Sequence, residues 1–185
     1  MNKKILVLAS VYGFLESFEI NDIKILLSLG YEVHTAANLH DTTIGSNYTT
    51  KKIDELESIK KHFFDIHRSP FSLKNIGVFF KLKKLVKKEK FDVIHCHTPI
   101  GGVLGRLLGK VCDVKVIYTA HGFHFFKGVS KKNWLCYYPI EHFLSKYTDI
   151  LITINEEDYN LAKLKFKAKN IFKINGVGLD TKKFY

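Results

Sequence analysis

Short apolar runs of strand length alternate along this chain with amphipathic stretches of helical length, and that alternation limits the fold more than any other feature. The runs are Ile5–Ala9, Glu32–Ala37, His62–Ile66, Val93–Cys96, Val116–Ala120, Ile150–Ile154 and Ile171–Ile174. The helical stretches lie near Phe18–Leu29, Leu73–Lys88, Val103–Leu108, Trp134–Ser145 and Glu156–Lys167. Strands joined through helices pair in parallel, and a parallel sheet needs cover on both faces. The expectation is therefore an α/β fold with a doubly wound parallel sheet. Gly30, directly after Leu29, is a helix stop, because glycine adopts the left-handed cap conformation without penalty. The least regular segment, Leu39–Ile59, reads as a surface loop with a short helix. No internal repeat or low-complexity tract interrupts the pattern.

With 185 residues and 46% hydrophobic content, the chain can bury one sizeable core. Its three cysteines, Cys96, Cys112 and Cys136, are odd in number and lack a Cys-x-x-Cys spacing. That argues against a disulfide framework and fits a reducing cytosol. Asn2-Lys3-Lys4 followed by Ile5-Leu6-Val7-Leu8-Ala9 imitates a secretion signal. Glu16 and Glu19 break the apolar run and no small-x-small cleavage site follows closely, so a buried first strand is the better reading. No window approaches the roughly 18 apolar residues of a membrane span. A soluble, cytoplasmic chain is expected, with contact at the inner face of the plasma membrane left open.

In an open parallel sheet, ligands bind beyond the carboxyl ends of the strands. Ser10–Gly13, His97–Gly102, His121–His124 and Asn155–Asp158 fall there and hold much of the chain's polar and glycine chemistry. Gly101-Gly102-Val103-Leu104-Gly105 lacks the spacing of a dinucleotide fingerprint, and Gly105-Arg106-Leu107-Leu108-Gly109-Lys110 misses the phosphate-loop spacing by one residue. The glycine pair opening a helix has two readings: free amides for an anion, or room for helix and sheet to approach closely. His95, His97, His121 and His124 invite a metal, with Cys96 among them. Strand alternation, however, sends His95 and His97 to the face opposite Cys96, and no acidic partner stands at a ligand spacing. No metal is expected. The lack of a Gly-x-Ser-x-Gly elbow argues against a serine or cysteine hydrolase.

Twenty-nine Lys and Arg against eighteen Asp and Glu leave a charge of +11. The densest patch interleaves Lys81, Lys83, Lys84, Lys87, Lys88 and Lys90 with Phe79, Phe80, Leu82, Leu85 and Val86. Such a helix suits an anionic lipid surface, though a solvated helix face has the same composition. Lys81, Lys84 and Lys88, spaced for one face, are the candidate membrane contacts. No nucleic-acid motif accompanies the charge, so no nucleic-acid partner is expected.

Several motifs recur in fixed order. They are Lys3-Lys4-Ile5-Leu6-Val7-Leu8-Ala9-Ser10, Gly30 to Asn38, Arg68-Ser69-Pro70 with Lys74-Asn75, His95 to Arg106, and Tyr118 to Asp158. In this the chain resembles the N-terminal, acceptor-side domain of bacterial family-four GT-B glycosyltransferases of the capsule and exopolysaccharide type. The resemblance implies a Rossmann-like domain over 1–174, with 175–185 starting an interdomain junction and the C-terminal donor domain absent. It implies transfer of a hexose or N-acetylhexosamine from a nucleotide-diphospho-sugar, with retention, to a saccharide acceptor carried on a polyprenyl lipid. No cofactor is implied, and a separately encoded C-terminal half would be a further partner. By position, His121 is the catalytic candidate and Gly13 approaches the donor diphosphate. Arg68, His97, Thr98, Gly101, Gly102, Arg106 and His124 line or support the acceptor side. Glu19 and Asn21 depart from the family's Phe-His-x-Pro, and a carboxylate at Glu19 would repel a phosphate in the cleft. A truncated, non-catalytic module holding a glycolipid or a partner protein is the alternative.

Overall fold

The structure, a computed structural model, describes residues 3–41 and 45–176. Its main sheet has seven strands: β1 (Lys4–Val11), β2 (Glu32–Asn38), β5 (Lys60–Phe63), β6 (Val93–His97), β7 (Lys115–Ala120), β8 (Ile150–Thr153) and β9 (Asn170–Lys173). They are all parallel, in the order β5-β2-β1-β6-β7-β8-β9. A two-residue hairpin, β3 (His40–Asp41) with β4 (Ser46–Asn47), and a short α3 (Lys51–Asp54) occupy the segment expected to be loop plus short helix.

The chain leaves β1 through α1 (Tyr12–Phe14), a π-helical turn (Leu15–Glu19) and α2 (Ile20–Ser28). The widened turn breaks the 3.6-residue period, which is why the helix reads from sequence only from Phe18 onward. It ends as expected: Gly30 has φ +80°, its N–H donates to Leu27 O and that of Tyr31 to Leu26 O. The other helices are α4 (Lys74–Glu89), α5 (Pro99–Cys112), α6 (Lys131–Ser145) and α7 (Glu156–Lys165). Sequence shows only Val103–Leu108 of α5, because four glycines dilute its apolar pattern and lower its propensity. The third strand falls two residues earlier than expected, at Lys60–Phe63. It is an edge strand paired with β2 alone, and Ile66 fills the core from the loop beyond it.

Alternation in β1 builds both halves of the core. Leu6 and Leu8 meet Val78, Leu82 and Val86 of α4 and Leu104 and Leu108 of α5 on one face. Ile5, Val7 and Ala9 meet Leu15, Ile23 and Ile53 on the other. Strand order reverses direction between β1 and β6, so the switch-point crevice opens where Val11 and His97 end. Residues 177–185, most of the expected junction, lie outside the described residues. No helix among the described residues is long and apolar enough to cross a membrane.

Candidate functional site

Thr98 joins β6 to α5 in a conformation that a β-branched residue rarely takes, φ 61° and ψ 156°. Such strain, of order 1–3 kcal/mol, persists only where surroundings enforce it. Here the Thr98 Oγ1 accepts the Ser10 N–H at 3.0 Å, lies 2.7 Å from Ser10 Oγ and donates to His97 O at 2.5 Å. The two strand ends flanking the crevice are thereby clipped together. Pro99 opens α5 at its first turn, where a missing N–H is harmless. The glycines that follow are needed for packing. A Cβ at Gly101 would lie 3.1 Å from Ala9 Cα, and one at Gly102 2.5 Å from the Tyr118 ring.

A cavity of about 550 Å³ fills the crevice. Gly13, Arg68, Thr98, His121 and His124 line it, together with Ser10, Tyr137 and Glu141 from segments the sequence marked, and with Phe14 and Tyr48, which sequence reasoning did not single out. Gly13 lies beneath Tyr48, where an added Cβ would stand 2.2 Å from the ring. The Tyr48 hydroxyl donates to Asp41 at 2.8 Å, and Arg68 Nη1 reaches the same carboxylate at 2.9 Å. Asn75 ties down the chain before Arg68 by accepting the His67 N–H and donating to His67 O. His124 is exposed at the rim, its ring 4.7 Å from that of Tyr137.

Four of the sequence candidates, His97, Gly101, Gly102 and Arg106, stand behind the wall of the cavity. Arg106 is 1% exposed. It donates to Gly102 O at 2.8 Å and Glu141 at 2.7 Å, and its guanidinium stacks 4.1 Å over the Tyr118 ring. Asp158, near the far end of the motif series, accepts the Phe123 N–H at 3.0 Å and holds the His121–Phe125 loop in place. Asn155 caps α7 by accepting the Asp158 N–H at 2.8 Å.

Sequence reasoning placed Glu19 in the open cleft, and the structure does not. The π-helical turn aims Glu16 at the start of α3, where its carboxylate accepts the Lys52 and Ile53 N–H groups. It aims Glu19 at the histidines. Glu19 is 2% exposed, with Oε1 3.2 Å from His97 Nδ1 and 3.5 Å from His121 Nε2. Burial, with the Asp22 charge next, pushes the Glu19 carboxyl up to about 8, so it is mostly neutral at pH 7 and does not repel a phosphate. Burial drives His121 down to about 4 and His97 well below its ordinary value, leaving both imidazoles neutral. His95 is satisfied by the Thr119 hydroxyl at 2.8 Å. No local spacing could have revealed Glu19, which meets the histidines only through the β1–β6 pairing.

On α4, Val78, Leu82 and Val86 are buried while Lys81, Lys84 and Lys88 are exposed. Phe71, Leu73, Ile76 and Phe80 are exposed beside them.

Residues 4–155 match the family model described as "Glycosyl transferase 4-like". The chain is 45% identical over 188 residues to EpsD of Bacillus subtilis (strain 168), whose name assigns it provisionally to the glycosyltransferases. That match covers 100% of this chain and 46% of the relative. It is 33% identical over 136 residues, 71% of this chain and 35% of the relative, to the Escherichia coli UDP-Gal:alpha-D-GlcNAc-diphosphoundecaprenol alpha-1,3-galactosyltransferase. The chain thus spans about half or less of these relatives, matching their N-terminal part. Among solved structures, Anabaena HepE in complex with UDP superposes with TM-score 0.65 at 16% identity, covering 98% of this chain and 45% of that one. Acinetobacter baumannii MurG superposes with TM-score 0.61 at 13% identity, covering 94% and 46%. The sheet and its helices are those of a GT-B glycosyltransferase half.

Proposed function

The chain belongs to the glycosyl transferase 4-like family, and from that premise we propose that it is the acceptor-side domain of a retaining glycosyltransferase in surface polysaccharide synthesis. The donor is a nucleotide-diphospho-hexose or N-acetylhexosamine, and the acceptor a saccharide on a polyprenyl lipid. The observation that carries this reading is the cavity at the β1–β6 crossover, which His121, Thr98, Gly13 and Arg68 line together. The E. coli relative named for a UDP-sugar donor and a diphosphoundecaprenol acceptor supports the substrate classes.

Sugar transfer needs two reactants held in register and a leaving diphosphate stabilised. His121, neutral at working pH, offers the donor sugar a hydrogen bond without bringing charge to it. Arg68 at the rim faces an anionic group entering the cavity, and Thr98, Pro99 and Ile100 form the wall at the start of α5. Gly13 leaves room for a substrate to lie against the chain after β1. A C-terminal donor half, on the same chain or a separate one, completes the site. Lys81, Lys84 and Lys88 bring the domain to an anionic inner leaflet, each lysine contributing about 1 kcal/mol, with Phe71, Leu73, Ile76 and Phe80 entering the interface.

The test is to supply UDP-sugars and a polyprenyl-diphosphate-linked saccharide to this chain joined to a C-terminal donor half. Transfer to the lipid-linked acceptor is expected, together with photo-crosslinking of that acceptor to the Thr98–Ile100 segment or Arg68. Crosslinking elsewhere, or binding without any transfer in the joined protein, would favour a non-catalytic glycolipid-binding module.

A further inference from the structure

One ring nitrogen of His121 is held inside the protein and the other is left for the cavity. We propose that His97 and Glu19 are positioning residues that keep the His121 proton on the cavity side, at Nδ1. His121 Nε2 lies 3.2 Å from His97 Nδ1 and 3.5 Å from Glu19 Oε1. Nδ1 makes no hydrogen bond among the described residues, and the side chain, 17% exposed, lines the cavity. In a neutral imidazole, the hydrogen bond made by one nitrogen decides which of the two carries the proton.

Counting protons settles the arrangement. Glu19 Oε2 is offered no donor. In the neutral carboxyl it bears the proton itself and donates it to the Asp22 carboxylate beside it. Oε1 is then a carbonyl-type oxygen that only accepts, 3.2 Å from His97 Nδ1. A proton on His97 Nδ1 is shared between Glu19 Oε1 and His121 Nε2, which obliges His121 to carry its own proton at Nδ1. If His121 donated from Nε2 instead, His97 Nδ1 would accept and the His97 proton would move to Nε2. That atom is buried and has no partner among the described residues. A buried donor without an acceptor is rarer and costlier than a bare acceptor, so the first arrangement wins. Protons on both facing nitrogens would oppose each other across 3.2 Å, and only a charged Glu19 could hold them there.

The groups facing Glu19 are Asp22 from its own helix, His97 from β6 and His121 from the end of β7. His95 lies behind, its ring 4.1 Å from that of His97 and its Nε2 bound to the Thr119 hydroxyl. Phe14 packs edge-on against His121, centroids 4.7 Å apart, and holds the plane of the ring. The consequence for chemistry is specific. His121 presents a donor to an oxygen of the bound sugar, and at Nδ1 it has no lone pair with which to deprotonate an acceptor hydroxyl. That consequence rests on the sugar-transfer reading, whereas the position of the proton does not.

The 185-residue chain, carrying isotope-labelled histidine, is followed by long-range proton–nitrogen NMR, which reports the protonated nitrogen of each neutral imidazole. His121→Ala identifies the His121 signals. At neutral pH the proton is expected on Nδ1. Finding it on Nε2, the form an unrestrained histidine favours in water, would overturn the proposal. His97→Phe should return the proton to Nε2, and His97→Asn, whose amide nitrogen stands near the former Nδ1, should keep it on Nδ1. Retention of the Nδ1 form in His97→Phe would remove His97 from the role. Should circular dichroism show that His97→Phe does not fold, a pH series on the parent and Glu19→Gln decides. As pH rises through about 8, Glu19 ionises and draws a second N–H, so the parent proton should shift to Nε2. Glu19→Gln, which keeps the acceptor and cannot ionise, should hold the Nδ1 form throughout; the same shift in both proteins would overturn the part given to Glu19. In the chain joined to a donor half, His97→Phe should cost as much in kcat as losing His121, roughly ten- to a thousand-fold. An unchanged rate in His121→Ala would sink the transfer reading and leave the NMR result standing, so the two failures are separable.

Discussion

Replacing Arg106 by methionine should destabilise the chain far more than its distance from the cavity suggests. Glu141 is 7% exposed and Arg106 1%, and their ion pair of 2.7 Å is the main compensation for burying either charge. With Arg106 gone, Glu141 keeps only the Tyr118 hydroxyl at 3.3 Å. An unpaired buried charge costs about 3–5 kcal/mol, whereas replacing the whole pair by apolar groups is often close to neutral. In a chain of this size 1 kcal/mol shifts Tm by about 2–4 °C, so Arg106→Met should lower Tm by about 6–20 °C. Arg106→Met with Glu141→Leu should recover more than half of that loss, since methionine still packs on Tyr118. Thermal and urea denaturation of the two single variants and the double variant form the cycle. A double variant no more stable than Arg106→Met would refute the reasoning and assign the cost to the guanidinium stacked on Tyr118.

Two glycines with opposite surroundings give a paired test: Gly109→Ala should destabilise by about 1–3 kcal/mol, because its Cβ would lie 2.1 Å from Val116 Cγ2 and 2.9 Å from Val114 O. Gly77→Ala, in α4 with nothing near, should stabilise by about 0.5–1 kcal/mol in the same denaturation assay. Burial opposes ionisation of Asp149, but hydrogen bonds from Lys169 and the Val116 N–H outweigh it and hold the carboxyl below its ordinary range. A depressed carboxylate stabilises above the ordinary value of about 3.9 and ceases to as pH falls through the folded-state value. Asp149→Asn should therefore lower Tm at neutral pH, and the difference should close only below about pH 3.9. Changing Lys81, Lys84 and Lys88 together to glutamate should abolish sedimentation with anionic liposomes at low salt while neutral liposomes bind neither protein.

Periodicity made the sheet legible in advance, because its central strands β1, β2, β6 and β7 are mostly buried runs that alternate with helices, while only the edge strands β5 and β9 are largely exposed. It also located the crevice, since Ser10–Gly13, His97–Gly102 and His121–His124 had to emerge at strand ends. The long α5 was hidden by the glycines that let it press against Ala9, Cys96 and Val116. Composition could not separate an anion loop from a packing device at Gly101 and Gly102, and the short distances to Ala9 and Tyr118 show that packing requires both. Glu19 was legible as an oddity but not as a partner of His97 and His121. That meeting depends on a π-helical turn and on two strands 88 residues apart in register, Leu8 against Cys96. Tyr48 escaped for the same reason: it reaches the cavity through tertiary contacts with no local motif to mark it, and buried Asp41 holds both it and Arg68.

The most direct test of a sugar-transfer role for the cavity is the steady-state rate of the chain joined to a donor half, with and without His121. His121→Ala should lower kcat by roughly ten- to a thousand-fold, the range for losing one group that acts on the transition state, while fold and thermal stability stay close to the parent. Unchanged kinetics in a normally folded His121→Ala protein would contradict the account and leave the histidine a part of the wall.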